Sequence, residues 1–177
     1  MTLWYTADLH LDHPFMASNR GFRYQAAHDY AIVEAWNSVV KGGDCVVVCG
    51  DVFWETEPTY TTKMWKTLNG TKVLVKGNHD YWVKRTKIQF RRIYEKKVKI
   101  KKGGPHQYVV ACHYPMLTWN KKQHGAIHVH GHSHGNILPC QGRMDIGVDV
   151  AKIMLGDWRP FSFDEVNYLL KKYREEI

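Results

Sequence analysis

The stretch CVVVCGD, residues 45–51, ends a run of apolar, β-branched residues with a Gly-Asp pair. Valine-rich runs of this length are typical of buried strands, and the polar pair marks the point where such a strand ends. Four further stretches repeat the pattern of an apolar run with a polar end: LWYTADLH at 3–10, KVLVKGNHD at 72–80, YVVACH at 108–113 and AIHVHGHSH at 126–134. These patterns predict strands with carboxylate, amide and imidazole side chains at their carboxyl ends.

Helical patterns lie between the predicted strands. Residues 24–40 (YQAAHDYAIVEAWNSVV) carry apolar residues at near-helical spacing and end before a Gly-Gly pair, which predicts a crossover helix. We expect shorter helices at 59–68 and 82–94, and a last helix from about residue 163 to the end. Helices alternate with strands in the first half, and strands follow more closely from 107 to 150. This order predicts an α/β protein with parallel and antiparallel strand pairs.

The polar residues after these strands are suited to binding metal. Open α/β sheets place ligand sites at the carboxyl ends of their strands, so side chains distant in sequence meet there. A mixture of imidazole, carboxylate and amide groups suits Mn²⁺, Fe²⁺, Ni²⁺ or Zn²⁺, whereas Ca²⁺ and Mg²⁺ prefer oxygen ligands alone. The sequence therefore predicts a site for two divalent transition metal ions, with ligands among Asp8, His10, Asp51, Asn78, His113, His132 and His134.

The order of these motifs, D-x-H, G-D, G-N-H-D, H and G-H-x-H, resembles that of the calcineurin-like metallophosphoesterase superfamily, in its small bacterial or phage type. The resemblance implies a four-layer αββα sandwich of two mixed β-sheets, and we expect one domain over residues 1–177. It also implies a phosphoric ester hydrolase in which a hydroxide between two ions attacks phosphorus in line.

The resemblance assigns a role to each matching residue. Asp51 is expected to bridge the ions, and His79 to act on the substrate without binding metal. His13 is a candidate for substrate contact, and Asp80 either fixes a nearby group or caps the following helix. The first ion would be held by Asp51 with Asp8, His10 and His134, and the second by Asp51 with Asn78, His113 and His132.

Three functions are compatible with this pattern. A phosphodiesterase acting on nucleotide-type or nucleic-acid-derived phosphodiesters is favoured over a phosphomonoesterase, and both over a catalytically silent scaffold. Protein phosphatases of the superfamily carry G-D-x-x-D-R-G, but this chain reads GDVFWET at 50–56 and lacks the Asp-Arg pair. A phosphate monoester usually relies on such an arginine, so its absence favours a diester substrate.

Two groups of residues near the motifs have alternative interpretations. Asp145 and Asp149 are expected to hold loops in place, with a catalytic role as the alternative. Aromatic residues beside the motifs either pack in the core or stack on a nucleobase at the rim of the site: Phe53, Trp54, Tyr81, Trp82, Tyr114 and Trp119.

The net charge is +8, and ten lysines and arginines lie between Lys84 and Lys102. This cluster either steers an anionic substrate or forms a solvated helix face followed by a charged edge strand. The four cysteines lack disulfide spacing, so free thiols are expected. The sequence shows neither a signal peptide nor an apolar run of roughly 20 residues, which predicts a cytoplasmic protein without membrane contact. Its oligomeric state is left open.

Overall fold

The computed structural model describes residues 1–54, 57–86, 88–94, 97–101 and 108–175. Within these ranges the strands form two sheets. Sheet 1 has the spatial order β4 (Arg92–Tyr94), β3 (Thr71–Val75), β2 (Cys45–Val48), β1 (Leu3–Thr6) and β9 (Phe161–Ser162). Sheet 2 has the order β5 (Lys97–Lys101), β6 (Tyr108–Cys112), β7 (Ile127–His130) and β8 (Arg143–Asp145).

Both sheets are mixed. In sheet 1 the strands β1 to β4 are parallel and β9 is antiparallel to β1. In sheet 2 the strands β6, β7 and β8 are parallel and β5 is antiparallel to β6. The carboxyl ends of the parallel strands therefore lie at a common edge of each sheet, where the predicted metal ligands follow them.

Alternation along β2 explains how the sheets are covered. Val47 and Cys49 belong to the buried cluster between the sheets, together with Ala111 of β6 and Val129 of β7. Successive side chains of a strand point to opposite faces. Buried apolar area contributes roughly 25 cal/mol per Å², so this inner layer is a main source of stability.

The opposite face of sheet 1 packs against two helices. Val46 and Val48 join a second buried cluster with Trp36 and Trp65, which come from the second and third helices. The helices of the described chain are α1 (Pro14–Asn19), α2 (Gln25–Val39), α3 (Pro58–Thr67), α4 (Val148–Leu155) and α5 (Phe163–Glu175). The α/β architecture of two mixed sheets with helices is therefore confirmed. The single domain stays a prediction.

One predicted helix is wrong. In the described part of residues 82–94, a short 3₁₀ helix covers Asp80–Lys84 and the chain ends in β4, so the predicted helix does not form. Trp82 and Phe90 both pack on the second cluster. The edge of sheet 1 beside β3 offers backbone pairing, in which Val73 aligns with Arg92, and this tertiary contact overrides the local helical pattern. Helices α1 and α4 were not predicted.

The described residues of the basic stretch therefore form no solvated α-helix, and that part of its interpretation is wrong. Strand β5 does lie at an edge of sheet 2, as the charged edge strand requires. Lys87, Lys96 and Lys102 lie outside the described residues. The four cysteines are free, as expected. No helix in the described ranges is long and apolar enough to cross a membrane, and the cytoplasmic location stays a prediction.

Candidate metal centre

The loops that follow β1 and β2 run side by side at the edge of sheet 1. The backbone N–H of Asp8 donates to the Gly50 carbonyl at 3.0 Å, and that of His10 donates to the Asp51 carbonyl at 3.0 Å. These bonds continue the strand pairing past the regular sheet. They place two segments of predicted ligands next to each other.

The predicted ligands have an unusual backbone. Left-handed φ angles are rare for residues other than glycine and cost roughly 1–2 kcal/mol each. In the described chain, seven non-glycine residues have positive φ, and five of them are predicted ligands. Such strain persists where the surrounding structure imposes it, and it clusters at functional sites. The five are Asp8 (56°), His10 (47°), Asp51 (54°), His132 (69°) and His134 (47°).

The structure brings six of these side chains together as two groups. In each group, one potential ligand atom per residue lies within 4.8 Å of the others, so each group could hold a metal ion. Asn78 lies beside the second group, since its Oδ1 is 3.0 Å from His113 Nε2. The first group is Asp8, His10 and His134, and the second is Asp51, His113 and His132.

Asp51 lies between the two groups. Its Oδ2 is 3.8 Å from His10 Nε2 in the first group and 3.4 Å from His113 Nε2 in the second. Its Oδ1 accepts a hydrogen bond from the backbone N–H of His79 at 2.9 Å. The carboxylate is thus fixed by one oxygen while the other faces both groups.

The donor atoms fit metal ions. Buried polar atoms are almost always hydrogen-bonded, yet neither ring nitrogen of buried His10 has a hydrogen-bond partner among the described residues. Burial also lowers the pKa of His10 to about 2, which keeps the ring neutral, as a metal ligand must be. A cation bound between the groups would satisfy one of these nitrogens.

His113 is oriented in the manner of a metal-bound histidine. Its Nδ1 lies 2.8 Å from the Cys49 carbonyl, which can only accept, so Nδ1 carries the proton and Nε2 faces Asp51 and Asn78. Burial favours the neutral ring, but the Asp51 carboxylate outweighs it and raises the pKa of His113 to about 9. The position therefore attracts positive charge.

A nearby cation would also stabilise the charged form of Asp8. The residue is fully buried, and burial raises its pKa to about 7. Its carboxylate accepts a hydrogen bond from the backbone N–H of His132. A Cβ on Gly131 would lie 2.6 Å from Asp8 Oδ2, so glycine allows the backbone to approach the carboxylate this closely.

The family model described as calcineurin-like phosphoesterase matches residues 1–174. The chain belongs to this family. Members of the family typically depend on two metals, in agreement with the two Asp/His groups of this phosphoesterase.

Several proteins resemble this phosphoesterase over most of their length. The Gene 66 protein of Mycobacterium phage D29 is 27% identical, with 77% of this chain and 80% of the relative covered. The Gene 66 protein of Mycobacterium phage L5 is 25% identical, with 98% and 96% covered. An uncharacterized protein of Methanocaldococcus jannaschii is 23% identical, with 96% and 92% covered. The crystal structure of a protein of unknown function from Aquifex aeolicus has a TM-score of 0.73 at 24% identity, covering 95% and 98%, and shows the same fold.

A buried arginine supports the first group of the phosphoesterase. Arg20 donates from Nε and Nη2 to the two carboxylate oxygens of Asp149, at 2.8 and 2.7 Å. It also donates from Nη2 to the Asp8 carbonyl at 2.7 Å and from Nη1 to the Leu9 carbonyl at 2.8 Å. Asp149 in turn lies 2.7 Å from His134 Nδ1, which leaves Nε2 for the first group.

Arg20 could not be recognised from the sequence because no motif marks it. It follows a short helix in the stretch SNRGF, which is typical of a turn. Asp149 was expected to hold a loop, and its contact with His134 agrees with that expectation rather than with a catalytic role. Burial raises the pKa of Asp149, but hydrogen bonds from His134 and Arg20 and the Arg20 charge outweigh it, so the pKa is lowered.

Two more buried aspartates hold loops of the phosphoesterase. Asp80 accepts hydrogen bonds from the backbone N–H groups of Asp51 at 2.9 Å, Val52 at 3.1 Å and Gly77 at 2.8 Å, and thus joins the loops after β2 and β3. The capping alternative for Asp80 is wrong, because the cap position is His79 and makes no side-chain bond.

Asp145 fixes the loop that carries His134. It accepts hydrogen bonds from Ser133 Oγ at 2.7 Å and from the backbone N–H groups of Gly135 at 3.0 Å and Gly147 at 2.7 Å. This is the loop-holding role expected from the sequence.

His79 and His13 lie at the rim, outside both ligand groups. The His79 ring is 5.7 Å from that of His10 and 5.0 Å from that of Trp54, and the His13 ring stacks on Trp54 at 4.3 Å. Half-exposed Tyr114 lies 4.7 Å from the ring of His132. These positions are suited to contact with a substrate.

The aromatic residues beside the motifs divide by burial. Phe53, Trp82 and Trp119 are buried, so the packing interpretation applies to them. The stacking interpretation remains for three residues with more exposed side chains at the rim of the site, Trp54, Tyr81 and Tyr114.

Proposed function

We propose that this phosphoesterase is a dinuclear-metal-dependent phosphodiesterase that hydrolyses nucleotide-type phosphodiesters. The observation that carries the proposal is the position of Asp51. One of its carboxylate oxygens faces both His10 and His113, each of which belongs to a different ligand group. A shared carboxylate is what a two-metal phosphoesterase requires, because it holds the ions close enough to act on one phosphate.

The ligands divide between two ions. Neutral imidazoles together with carboxylate and amide oxygens suit Mn²⁺, Fe²⁺, Ni²⁺ or Zn²⁺. When bound, the ions supply charge that stabilises the transition state and lower the pKa of water that attacks phosphorus. Asp8, His10, His134 and Asp51 would hold one ion, and Asn78, His113, His132 and Asp51 the other.

We assign His79 the role of moving a proton rather than binding metal, because it belongs to neither ligand group. Its backbone is fixed by the hydrogen bond to Asp51 Oδ1, and its ring lies beside Trp54 at the rim. An imidazole can donate a proton near neutral pH, so His79 protonates the leaving alkoxide oxygen of the diester. His13 lies on the same side of the site, where its ring stacks on that of Trp54.

The surroundings favour a diester over a monoester. A monoester carries close to two negative charges and is usually held by an arginine fork. Arg20 lies near the first group, but Asp149 and two backbone carbonyls occupy its guanidinium, and its side chain is only 3% exposed. A diester carries one negative charge and needs less cationic support.

A comparison of two model substrates tests this function. The purified protein, loaded in turn with Mn²⁺, Fe²⁺, Ni²⁺ and Zn²⁺, is assayed with bis(4-nitrophenyl) phosphate and 4-nitrophenyl phosphate. We expect a higher kcat/KM for the diester. A clear preference for the monoester with several metals would instead support a phosphomonoesterase. No turnover of either substrate in protein that holds both ions would support the silent scaffold.

A further inference from the structure

A groove runs along the exposed face of α3, between this helix and residues 85–86 and 88–89. It consists of two adjoining cavities of about 470 and 440 Å³ that share Thr62 and Lys66. The first cavity also contains Lys63 and Arg85, and the second contains Lys72. We call these cavities together the basic groove.

The groove has a strong excess of positive charge. Four cationic side chains line it, and no carboxylate of the described chain does so. Lys63, Lys66 and Arg85 are exposed to solvent. A surface lined by one sign of charge raises the local concentration of ligands of the opposite sign. The groove is therefore suited to an anion.

The half-buried Lys72 also lines the groove. Its ammonium donates to the Leu68 carbonyl at 2.6 Å and lies 4.9 Å from the ring of Trp65. Burial lowers its pKa to about 8. An anion bound nearby would stabilise the charged form of this lysine.

Aromatic side chains connect the basic groove to the metal centre. The guanidinium of Arg85 lies 4.9 Å over the ring of Tyr81, which is 44% exposed. The Tyr81 hydroxyl donates to the Trp54 carbonyl at 3.0 Å, and the Trp54 ring is 5.0 Å from that of His79. A ligand bound in the groove can thus continue over Tyr81 to the rim beside His79.

We propose that the basic groove binds the phosphate backbone of a single-stranded nucleic acid whose scissile phosphodiester lies at the metal centre. This inference rests on the proposed function and specifies its substrate class. Lys63 and Lys66 are three residues apart on α3, so they lie about 4.5 Å apart along the helix axis. Positively charged grooves with aromatic stacking positions are the usual means of binding single strands. A mononucleotide at the metal centre would leave the groove unused, and an acidic protein segment would not use Tyr81 for stacking.

A binding experiment tests the groove separately from catalysis. The probe is a short fluorescein-labelled single-stranded oligonucleotide with phosphorothioate linkages that resist hydrolysis, and its Kd for the Mn²⁺-loaded full chain is measured by fluorescence anisotropy at several salt concentrations. Lys63→Gln/Lys66→Gln is compared with Lys41→Gln/Lys171→Gln, which removes the same charge from two exposed lysines that do not line the groove.

The expected change follows from counterion release. Each phosphate contact of a single strand contributes about 0.7 to the slope of log K against log salt concentration. Loss of two contacts should reduce the slope by about 1.4. If the original protein and the variant bind equally at 1 M salt, this difference in slope makes the Kd of the variant approximately 25-fold weaker at about 0.1 M salt. The control variant should change neither quantity.

Other results would overturn the groove assignment. These are equal weakening in both double variants, an unchanged Kd in the groove variant, or displacement of the probe by poly-glutamate at the same charge concentration as by unlabelled oligonucleotide. The last result would assign the groove to an acidic protein partner. If binding depends on the groove but the protein does not cleave bis(4-nitrophenyl) phosphate, the assignment of the groove to nucleic acid stands and the proposed function is refuted instead.

Discussion

Replacement of Arg20 with Met tests whether a buried ion pair positions a metal ligand. The Arg20 side chain is 3% exposed, and that of its partner Asp149 is 18% exposed. Removal of one member of a buried pair leaves the other charge without compensation and typically costs about 3–5 kcal/mol. Because Asp149 retains some solvent contact, we expect a loss of about 3 kcal/mol in the free energy of unfolding.

The same change should weaken one metal site. Asp149 accepts the hydrogen bond from His134 Nδ1, and Arg20 holds Asp149 in that position. Loss of a group that orients a metal-bound histidine typically lowers metal affinity 10–100-fold. We therefore expect Arg20→Met to bind one ion roughly 10–100 times more weakly, while the affinity for the second ion changes little.

Two measurements and a matched control separate these effects. Urea denaturation of the metal-free protein gives the stability change, and calorimetric titration with Mn²⁺ gives the affinity of each site. Arg159 makes a similar fork to Glu165, but the two side chains are 21% and 30% exposed and lie in no ligand group. Arg159→Met should cost at most about 1 kcal/mol and leave metal binding unchanged.

Lower stability of Arg20→Met with both metal affinities at their original values would contradict this positioning role of Arg20. In that case Arg20 would contribute to packing alone. The double variant Arg20→Met/Asp149→Asn removes both charges, so it should recover part of the lost stability. It should not recover affinity at the first site, because Arg20 no longer orients residue 149. A double variant less stable than Arg20→Met would contradict the ion-pair explanation.

Three further results are expected. Asp51→Asn should reduce binding of both ions because Asp51 faces both groups, whereas His10→Ala should mainly affect one ion. Elemental analysis that shows equal loss of both ions from His10→Ala would contradict the assignment. His79→Ala should keep its metal but lose roughly 10²–10⁴-fold in kcat. The control is His124→Ala, which changes an exposed histidine. A collapse of metal content in His79→Ala would disprove the separate role of His79. Burial raises the pKa of Asp8 from 3.8 to about 7, so the metal-free chain should lose stability as pH rises through this range. Asp8→Asn should lack this loss when urea denaturation is compared at about pH 4 and about pH 7. An identical pH profile in both proteins would refute the burial effect.

Much of the candidate site could be predicted because it depends on local patterns. The run CVVVC alternates between two apolar faces, and Asp51 follows it at the point where the strand ends. The same holds for the motif after β1 and for the histidines after β7. Strand identity follows from a few neighbouring residues, and parallel strands bring their ends to one edge. The residue types at that edge then indicate metal binding.

The supporting contacts could not be predicted in this way. Arg20 and Asp149 are 129 residues apart, and no spacing rule relates them. The capping and loop-fixing alternatives for Asp80 could be separated only when the backbone N–H groups of Asp51 and Gly77 were seen to converge on its carboxylate. Such partners depend on how loops from different strands meet in space.

The segment 82–94 shows where local sequence patterns stop predicting the structure. Its apolar residues fit a helical spacing, but the free edge of β3 pairs with β4 at the end of the segment, and Trp82 packs in the second apolar cluster. The sequence by itself determined the strands, their polar ends and the chemistry of the metal ligands, because these are encoded in neighbouring residues. Only the tertiary structure decided the path of 82–94 and the placement of Arg20, because backbone pairing and buried charge compensation arise from contacts between distant parts of the chain.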